Sequence, residues 1–105
     1  MSVKKEIEII NKEKVKIKLI GVIDFKNSDL MEDEVLKLMN KNYKIFVIDF
    51  DEVESIDSSG IGKLLMLNKK LQSQDRELVL SNVNSDYLKN IFETISLKEI
   101  MKFED

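Results

Sequence analysis

The chain reads as one α/β domain, a mixed central sheet of about five strands with packed helices, in the order β-β-α-β-α-β-α-β. Three observations predict this. Val15, Ile17 and Leu19 alternate with Lys14, Lys16 and Lys18, the period of a strand that is wet on one face. Ile45-Phe46-Val47-Ile48 is a short continuous apolar run of the kind central strands carry. Segments of helical periodicity stand between the strand-like runs, and strand-helix-strand units imply at least partly parallel pairing.

Each element has its own warrant. Ile7 and Ile9, spaced by Glu6 and Glu8, make a first strand. Asn11-Lys12-Glu13 separates it from the second, so the two form a hairpin. The second strand ends near Gly21-Val22-Ile23-Asp24. Asn27-Ser28-Asp29 offers side-chain oxygens for a helix cap, and Met31, Val35, Leu38 and Met39 follow at helical spacing. Glu32, Asp33 and Glu34 sit near that helix start, where the dipole favours them. The apolar run of residues 45–48 is expected to have helices above and below it. Ile61, Leu64, Leu65, Leu67 and Leu71 make a second helix, and Leu78-Val79-Leu80 a further strand. Tyr87, Leu88, Ile91, Phe92 and Ile95 make a third, amphipathic helix. Ile100, Met101 and Phe103 read as a short last strand or extended tail. No linker, repeat or proline interrupts residues 1–105, which are expected to form a single domain.

Composition excludes several chemistries. The 105 residues contain no His and no Cys. A Ser-His-Asp arrangement and a thiolate nucleophile are therefore impossible within the chain. Disulfides are impossible too, and a structural zinc lacks its usual ligands. No cofactor or metal is expected, and the protein is not expected to be an enzyme. Seventeen basic and 20 acidic residues leave a net charge of −3, which argues against nucleic acid as a partner. The start of the chain, Met1-Ser2-Val3-Lys4-Lys5-Glu6, lacks the apolar stretch of a signal peptide. No apolar run approaches the roughly 20 residues that cross a bilayer. A cytoplasmic protein without membrane partners is expected.

The residues that invite a functional reading cluster at Asp57-Ser58-Ser59-Gly60. On spacing alone this turn is a helix N-cap. Gly60 and Gly62 then let neighbouring backbone come close. The turn also puts a serine between the end of a strand and the start of a helix. A phosphate on it would face free N–H groups and the positive helix end. It would bring about −1.5 to −2 charge to one patch, opposed by Asp57, and by Asp24 if that folds nearby. On a helical wheel Met66 falls opposite the apolar arc, among Gly62, Lys63, Lys69 and Lys70, one turn from Gly62. Asn68 lies inside that arc, either buried or at its edge. Asp49, Asp51, Glu52 and Glu54 could suggest Mg²⁺, but no phosphate-binding glycine loop accompanies them, and a solvated strand end is expected. A phospho-acceptor aspartate at position 57 lacks the acidic pair a receiver domain carries after its first strand.

Ile56-Asp57-Ser58-Ser59-Gly60-Ile61-Gly62, preceded by Phe46-Val47-Ile48-Asp49-Phe50, resembles the anti-sigma factor antagonist group of STAS domains. Gly21-Val22-Ile23-Asp24 is similar to that family's Gly-x-x-Asp element. Leu78-Val79-Leu80-Ser81-Asn82-Val83 and Phe92-Glu93-Thr94-Ile95-Ser96-Leu97 are similar to its later segments, so the resemblance spans nearly the whole chain. It implies a protein that, unphosphorylated, binds an anti-sigma factor serine kinase and frees the sigma factor. It implies phosphorylation at Ser58, which ends the complex, and a metal-dependent serine phosphatase that reverses it. Asp24, Asp57, Ser59, Gly60, Gly62 and Met66 are then the expected partner-binding surface.

The chain departs from the pattern at Val22, where many relatives are acidic, and at Asp75 and Ser96, where many have glycine. With the chain ending at Asp105, a family-type terminal helix is expected to be short or absent. Two other readings compete. One is a STAS scaffold or adaptor of a stressosome or lipid-transport complex, with Ser58 silent. The other is an enzyme using Asp24, Asp49 and Asp57 with Mg²⁺.

Overall fold

The computed structural model describes residues 3–104; the ends of the expected domain at Met1, Ser2 and Asp105 lie outside the described residues. The elements are β1 (Lys4–Ile9), β2 (Lys14–Ile23), α1 (Ser28–Leu38), β3 (Ile45–Ile56), α2 (Ser58–Gln72), β4 (Glu77–Ser81), α3 (Asp86–Thr94), a 3₁₀ turn (Leu97–Glu99) and β5 (Lys102–Glu104). This is the expected order, with the last apolar segment resolved into a turn and a three-residue strand.

The strands lie side by side in chain order, β1-β2-β3-β4-β5. The β1–β2 hairpin is antiparallel and every later pair is parallel. Asn11 closes the hairpin turn, its Oδ1 accepting from the amides of Glu13 (2.8 Å) and Lys14 (2.9 Å).

Strand order explains where the helices go. Right-handed crossovers between parallel strands that never reverse direction across the sheet deliver every helix to the same face. The core obeys this. Val15, Ile17 and Leu19 of β2, Phe46, Ile48 and Phe50 of β3, and Leu78 and Leu80 of β4 share one face by register. They form one buried cluster with Met31, Val35 and Leu38 of α1, Leu64, Leu67 and Leu71 of α2, and Leu88 and Phe92 of α3. Phe92 meets Phe50 edge-on at 5.8 Å between centroids and Phe103 of β5 at 6.0 Å. The expectation of helices above and below the central strand is therefore corrected. The opposite face carries Lys14, Lys16 and Lys18, with Glu77 and Lys102 in ion pair beside them. Val47 and Val79 are buried there although they are no part of the helix-side cluster. Lys14, Lys16 and Lys18 are themselves half-buried on that face, as lysines are when their stems lie along apolar neighbours.

β3 is longer than its apolar run suggested, at 12 residues. Its helix-facing residues are Phe46, Ile48, Phe50, Val53 and Ile56, all buried. The step changes from two to three after Phe50. Two register shifts against β2, between Lys18 and Ile20 and between Gly21 and Val22, absorb the extra residues as bulges. Gly21 sits at the second shift with φ 112, a conformation that side chains avoid. The acidic stretch after residue 48 is thus strand, not strand end. Asp49 is 6% exposed, and its Oδ1 accepts from the Asp51 amide (2.9 Å) and Asn82 Nδ2 (3.0 Å).

Asn68 is buried and donates to the Ile100 carbonyl at 3.3 Å, latching α2 to the segment before β5. Asp75 and Ser96, the two positions that depart from glycine, both adopt the left-handed region, with φ 59 and 54. The turns keep a glycine-like shape and carry the strain of a Cβ there. Ser96→Gly is expected to stabilise the protein by roughly 0.5–1 kcal/mol, strain relief exceeding the entropy glycine adds to the unfolded chain. Urea denaturation at constant m-value measures it. Asp75→Gly should gain less, because Asp tolerates that region.

Candidate functional site

The site forms where β2 and β3 end and α2 begins. Asp57 continues the β2–β3 ladder, its amide donating to the Ile23 carbonyl at 3.0 Å. Its backbone is extended, and its side chain is the N-cap of α2, Oδ1 accepting from the Gly60 amide at 3.1 Å. The Ile61 amide starts the helical ladder on the Asp57 carbonyl. The Asp57 side chain takes the Gly60 amide and not those of Ser58 and Ser59, the first two residues of the helix. Ser58 is exposed as the first helical residue, and Ser59 is half-buried.

Gly60 is buried, although it was expected on the partner surface. A Cβ there would lie 2.6 Å from Ile56 Cγ1 and 2.8 Å from Ile23 Cγ2. Both contacts are far inside van der Waals range and neither partner atom is the free end of a long chain. Gly62 is the reverse: nothing lies within 4 Å of the place its Cβ would take. The expectation that both glycines admit neighbouring backbone is therefore corrected: Gly60 admits the side chains of Ile56 and Ile23, and Gly62 admits nothing. Ser58, Gly62 and Met66 recur every four residues and are all exposed, a single stripe along α2.

Asp24 stands beside this stripe on the loop between β2 and α1. That loop is tied tightly. Asn27 Oδ1 accepts from the Asp24 amide (2.8 Å), and Asn27 Nδ2 donates to the Val22 carbonyl (2.7 Å). Asp24 Oδ1 accepts from the Lys26 amide (2.9 Å), and the Ser28 amide donates to the Asp24 carbonyl (2.8 Å). Asn27 occupies the N-cap position of α1 yet makes no side-chain cap, a correction to the expected role of that triplet. Its amide group is spent on the loop instead.

The second oxygen of the Asp57 carboxylate accepts from the Phe25 amide at 3.1 Å. One side chain thus joins the mouth of α2 to the loop that carries Asp24. Lys63 makes a second join further along, donating to Glu32 (2.9 Å) and pairing with Asp29 (3.0 Å) of α1. The hydrogen bond to Glu32, then that to Asp29, keeps the Lys63 ammonium charged to higher pH than an ordinary lysine. The sequence singles out neither Phe25 nor the joining roles of Asn27 and Lys63, which read there as a cap candidate and an exposed helix residue. The available signal was an aromatic residue set among polar ones in Asp24-Phe25-Lys26-Asn27-Ser28.

The residues weighed for Mg²⁺ do not converge. Asp24 and Asp57 meet at the site, whereas Asp49 lies within β3 on the lysine face, and Glu52 pairs with Lys18 at 2.7 Å. Among the described residues no group of three or more acidic side chains is placed to hold a metal ion. An open cavity of about 660 Å³ lies among Asn82, Lys89, Phe92, Ser96, Lys98 and Phe103, and none of the expected site residues lines it. No helix among the described residues is long and apolar enough to cross a membrane.

A mixed sheet whose strands never reverse order, helices on one face, and an exposed serine at the mouth of the central helix define a compact class of α/β domain. Residues 4–105 match the model of the STAS domain, and the chain belongs to that family. Among solved structures it is similar to a putative anti-sigma factor antagonist of Thermotoga maritima, at 22% identity and a TM-score of 0.86, covering 96% of this chain and 86% of that one. It is similar to the unphosphorylated anti-sigma factor antagonist SpoIIAA, at 20% identity and a TM-score of 0.80 over 97% of this chain and 89% of that one. The phosphorylated form of the Bacillus cell fate determinant SpoIIAA matches with a TM-score of 0.73, also at 20% identity, over 97% of this chain and 92% of that one. It is similar as well to a sulfate transporter family protein of Wolinella succinogenes, at 21% identity and a TM-score of 0.76, over 91% and 80%. Identities this low establish a shared fold.

The two glycines of α2 predict opposite outcomes. Gly60→Ala should destabilise by about 1–3 kcal/mol through overpacking against Ile23 and Ile56. Gly62→Ala should leave stability unchanged or raise it by up to about 1 kcal/mol, since alanine is the better helix former. Thermal unfolding of the two variants beside the parent decides both.

Proposed function

We propose that this protein is an anti-sigma factor antagonist. Unphosphorylated, it binds an anti-sigma factor that is also a serine kinase, freeing the sigma factor; phosphorylation of Ser58 switches binding off. A metal-dependent serine phosphatase resets it. The protein acts as partner and substrate, not as catalyst, and it works in the cytoplasm.

The observation that carries this reading is the position of Ser58. It is exposed at the first turn of α2, while Asp57 takes the Gly60 amide and leaves those of Ser58 and Ser59 uncapped at the helix mouth. A kinase reaches the hydroxyl without unfolding the helix. The added group brings about −1.5 to −2 charge into a corner that already holds Asp24 and Asp57. The donors at the helix mouth tolerate that charge, while a partner surface matched to the unmodified corner does not. Asp24, Asp57, Ser59, Gly62 and Met66 supply the contact surface, and Gly60 supplies the seat of the helix. Gly62 is an open shelf on which a partner's backbone can rest, and Met66 an adaptable apolar contact.

The test uses the purified protein, the anti-sigma factor kinase of the same genome and ATP, read by intact mass. A single phosphate should be gained, and Ser58→Ala should gain none. Ser58→Asp should lose binding to the kinase while keeping the fold. A phosphate that persists in Ser58→Ala overturns the assignment.

The likeness to a sulfate transporter family protein supports a second reading, a STAS adaptor subunit of a lipid-transport or stressosome assembly in which Ser58 is silent. Co-purification from native cells separates the two. Transporter or stressosome subunits in place of a kinase favour the second.

A further inference from the structure

We propose that Phe25 is the apolar anchor by which the kinase partner grips this protein, and that Asp57 positions it. The inference rests on the antagonist reading above and names the chemistry of the partner's side: an apolar pocket rimmed by cationic side chains.

Phe25 is 70% exposed, the most exposed of the large apolar side chains among the described residues. An exposed apolar residue by itself means little. This one differs in that the backbone carrying it is held. Its own amide is bound by Asp57 Oδ2, and the residues on either side are fixed by the bonds of Asp24 and Asn27. Asn27 is itself buried, so the loop is rooted in the protein and not draped over it. An aromatic on a fixed backbone has only two side-chain torsions left to lose on binding, which is what makes aromatic side chains effective anchors. The residue also sits beside the proposed switch, because the carboxylate that holds its amide is the one that caps the Ser58 helix.

Charge selects the pocket's rim. Asp24 precedes Phe25 in its loop and Asp57 holds the Phe25 amide, so two carboxylates stand in this corner. Lys63 is already committed to Asp29 and Glu32. Lys26 lies near the Phe25 ring, 6.0 Å from its centroid. The surroundings of Phe25 are thus acidic on balance, and a partner that complements them is basic.

Asp57 acts on this anchor through the loop. Serine at position 57 still caps Gly60, but its single oxygen cannot also hold the Phe25 amide. The part of its contribution made through the clamp matters only while the ring is present.

The experiment titrates the anti-sigma factor kinase of the same genome with the parent protein, Phe25→Ala, Asp57→Ser and the double variant, by calorimetry. Phe25→Ala should weaken binding on the order of 30-fold, as a hot-spot truncation does. Its thermal midpoint should stay within about 3 °C of the parent, because so exposed a side chain contributes little to stability. Asp57→Ser should weaken binding by a smaller factor, and the double variant should lose less than the sum of the two single losses. Parent-like affinity in Phe25→Ala, with the parent protein binding, overturns the anchor and leaves the antagonist reading standing. Additive losses in the double variant overturn the positioning role of Asp57. Failure of the parent protein itself to bind the kinase overturns the antagonist reading and the anchor together.

Discussion

Helix α2 rests on the ends of β2 and β3 at a distance that leaves no room for one methyl group. Ile23 and Ile56 are both buried and come within 3 Å of where a Cβ on residue 60 would stand. Everything at the site inherits its position from that contact. Because the helix is seated so closely, its N-cap falls in line with the β2–β3 ladder, and the Asp57 amide can still reach the Ile23 carbonyl. The next residue, Ser58, is then lifted clear of the sheet and into solvent. A helix standing one methyl higher would break the ladder bond and move the cap away from the Phe25 loop.

The sheet explains why this corner, and not a crevice in the middle of the sheet, is the place of interest. Open α/β sheets collect ligands where strand order reverses and neighbouring loops diverge. Here the parallel strands run in sequence without reversal, so no such crevice forms. The helices share one face, and the other is left to lysines and their acidic partners. At the carboxyl ends of β2 and β3 recognition falls to the surface of the loops and helix starts. A surface of that kind suits a protein partner better than a small molecule.

The chain spends little on backbone strain and places it away from Ser58. Asp75, Asn82 and Ser96 have positive φ without being glycine, and all lie in turns after α2, β4 and α3. The loop at the site takes the opposite course. Residues 24–27 are ordered by their own side chains, with two of the four, Asp24 and Asn27, spent on holding backbone groups. Rigidity there keeps Phe25 and Asp24 in fixed relation to Ser58.

Sequence alone determined the element order, the hairpin, the amphipathic helices, the capped turn at Asp57 and the exposure of Met66. These follow from local periodicity and from hydrogen bonds within a few residues, and both are written along the chain. It also excluded His- and Cys-based chemistry by plain absence. The length of β3 was not legible, because two bulges change its period from two to three, and a bulge is defined only against a partner strand. The single-sided helix layer was not legible either: an apolar run such as residues 45–48 says that both faces are buried, not whether helices or lysine stems do the burying. Gly60 and Gly62 look alike in the sequence, and only the distance to Ile23 and Ile56 tells the seat of the helix from an open shelf. Asn27 looked like a cap, and Phe25 like an ordinary loop residue. Their roles depend on bonds that reach back to Val22 and across to Asp57, 32 residues away from Phe25 in the chain. Contacts of that range exist only once the sheet has brought the ends of β2 and β3 together.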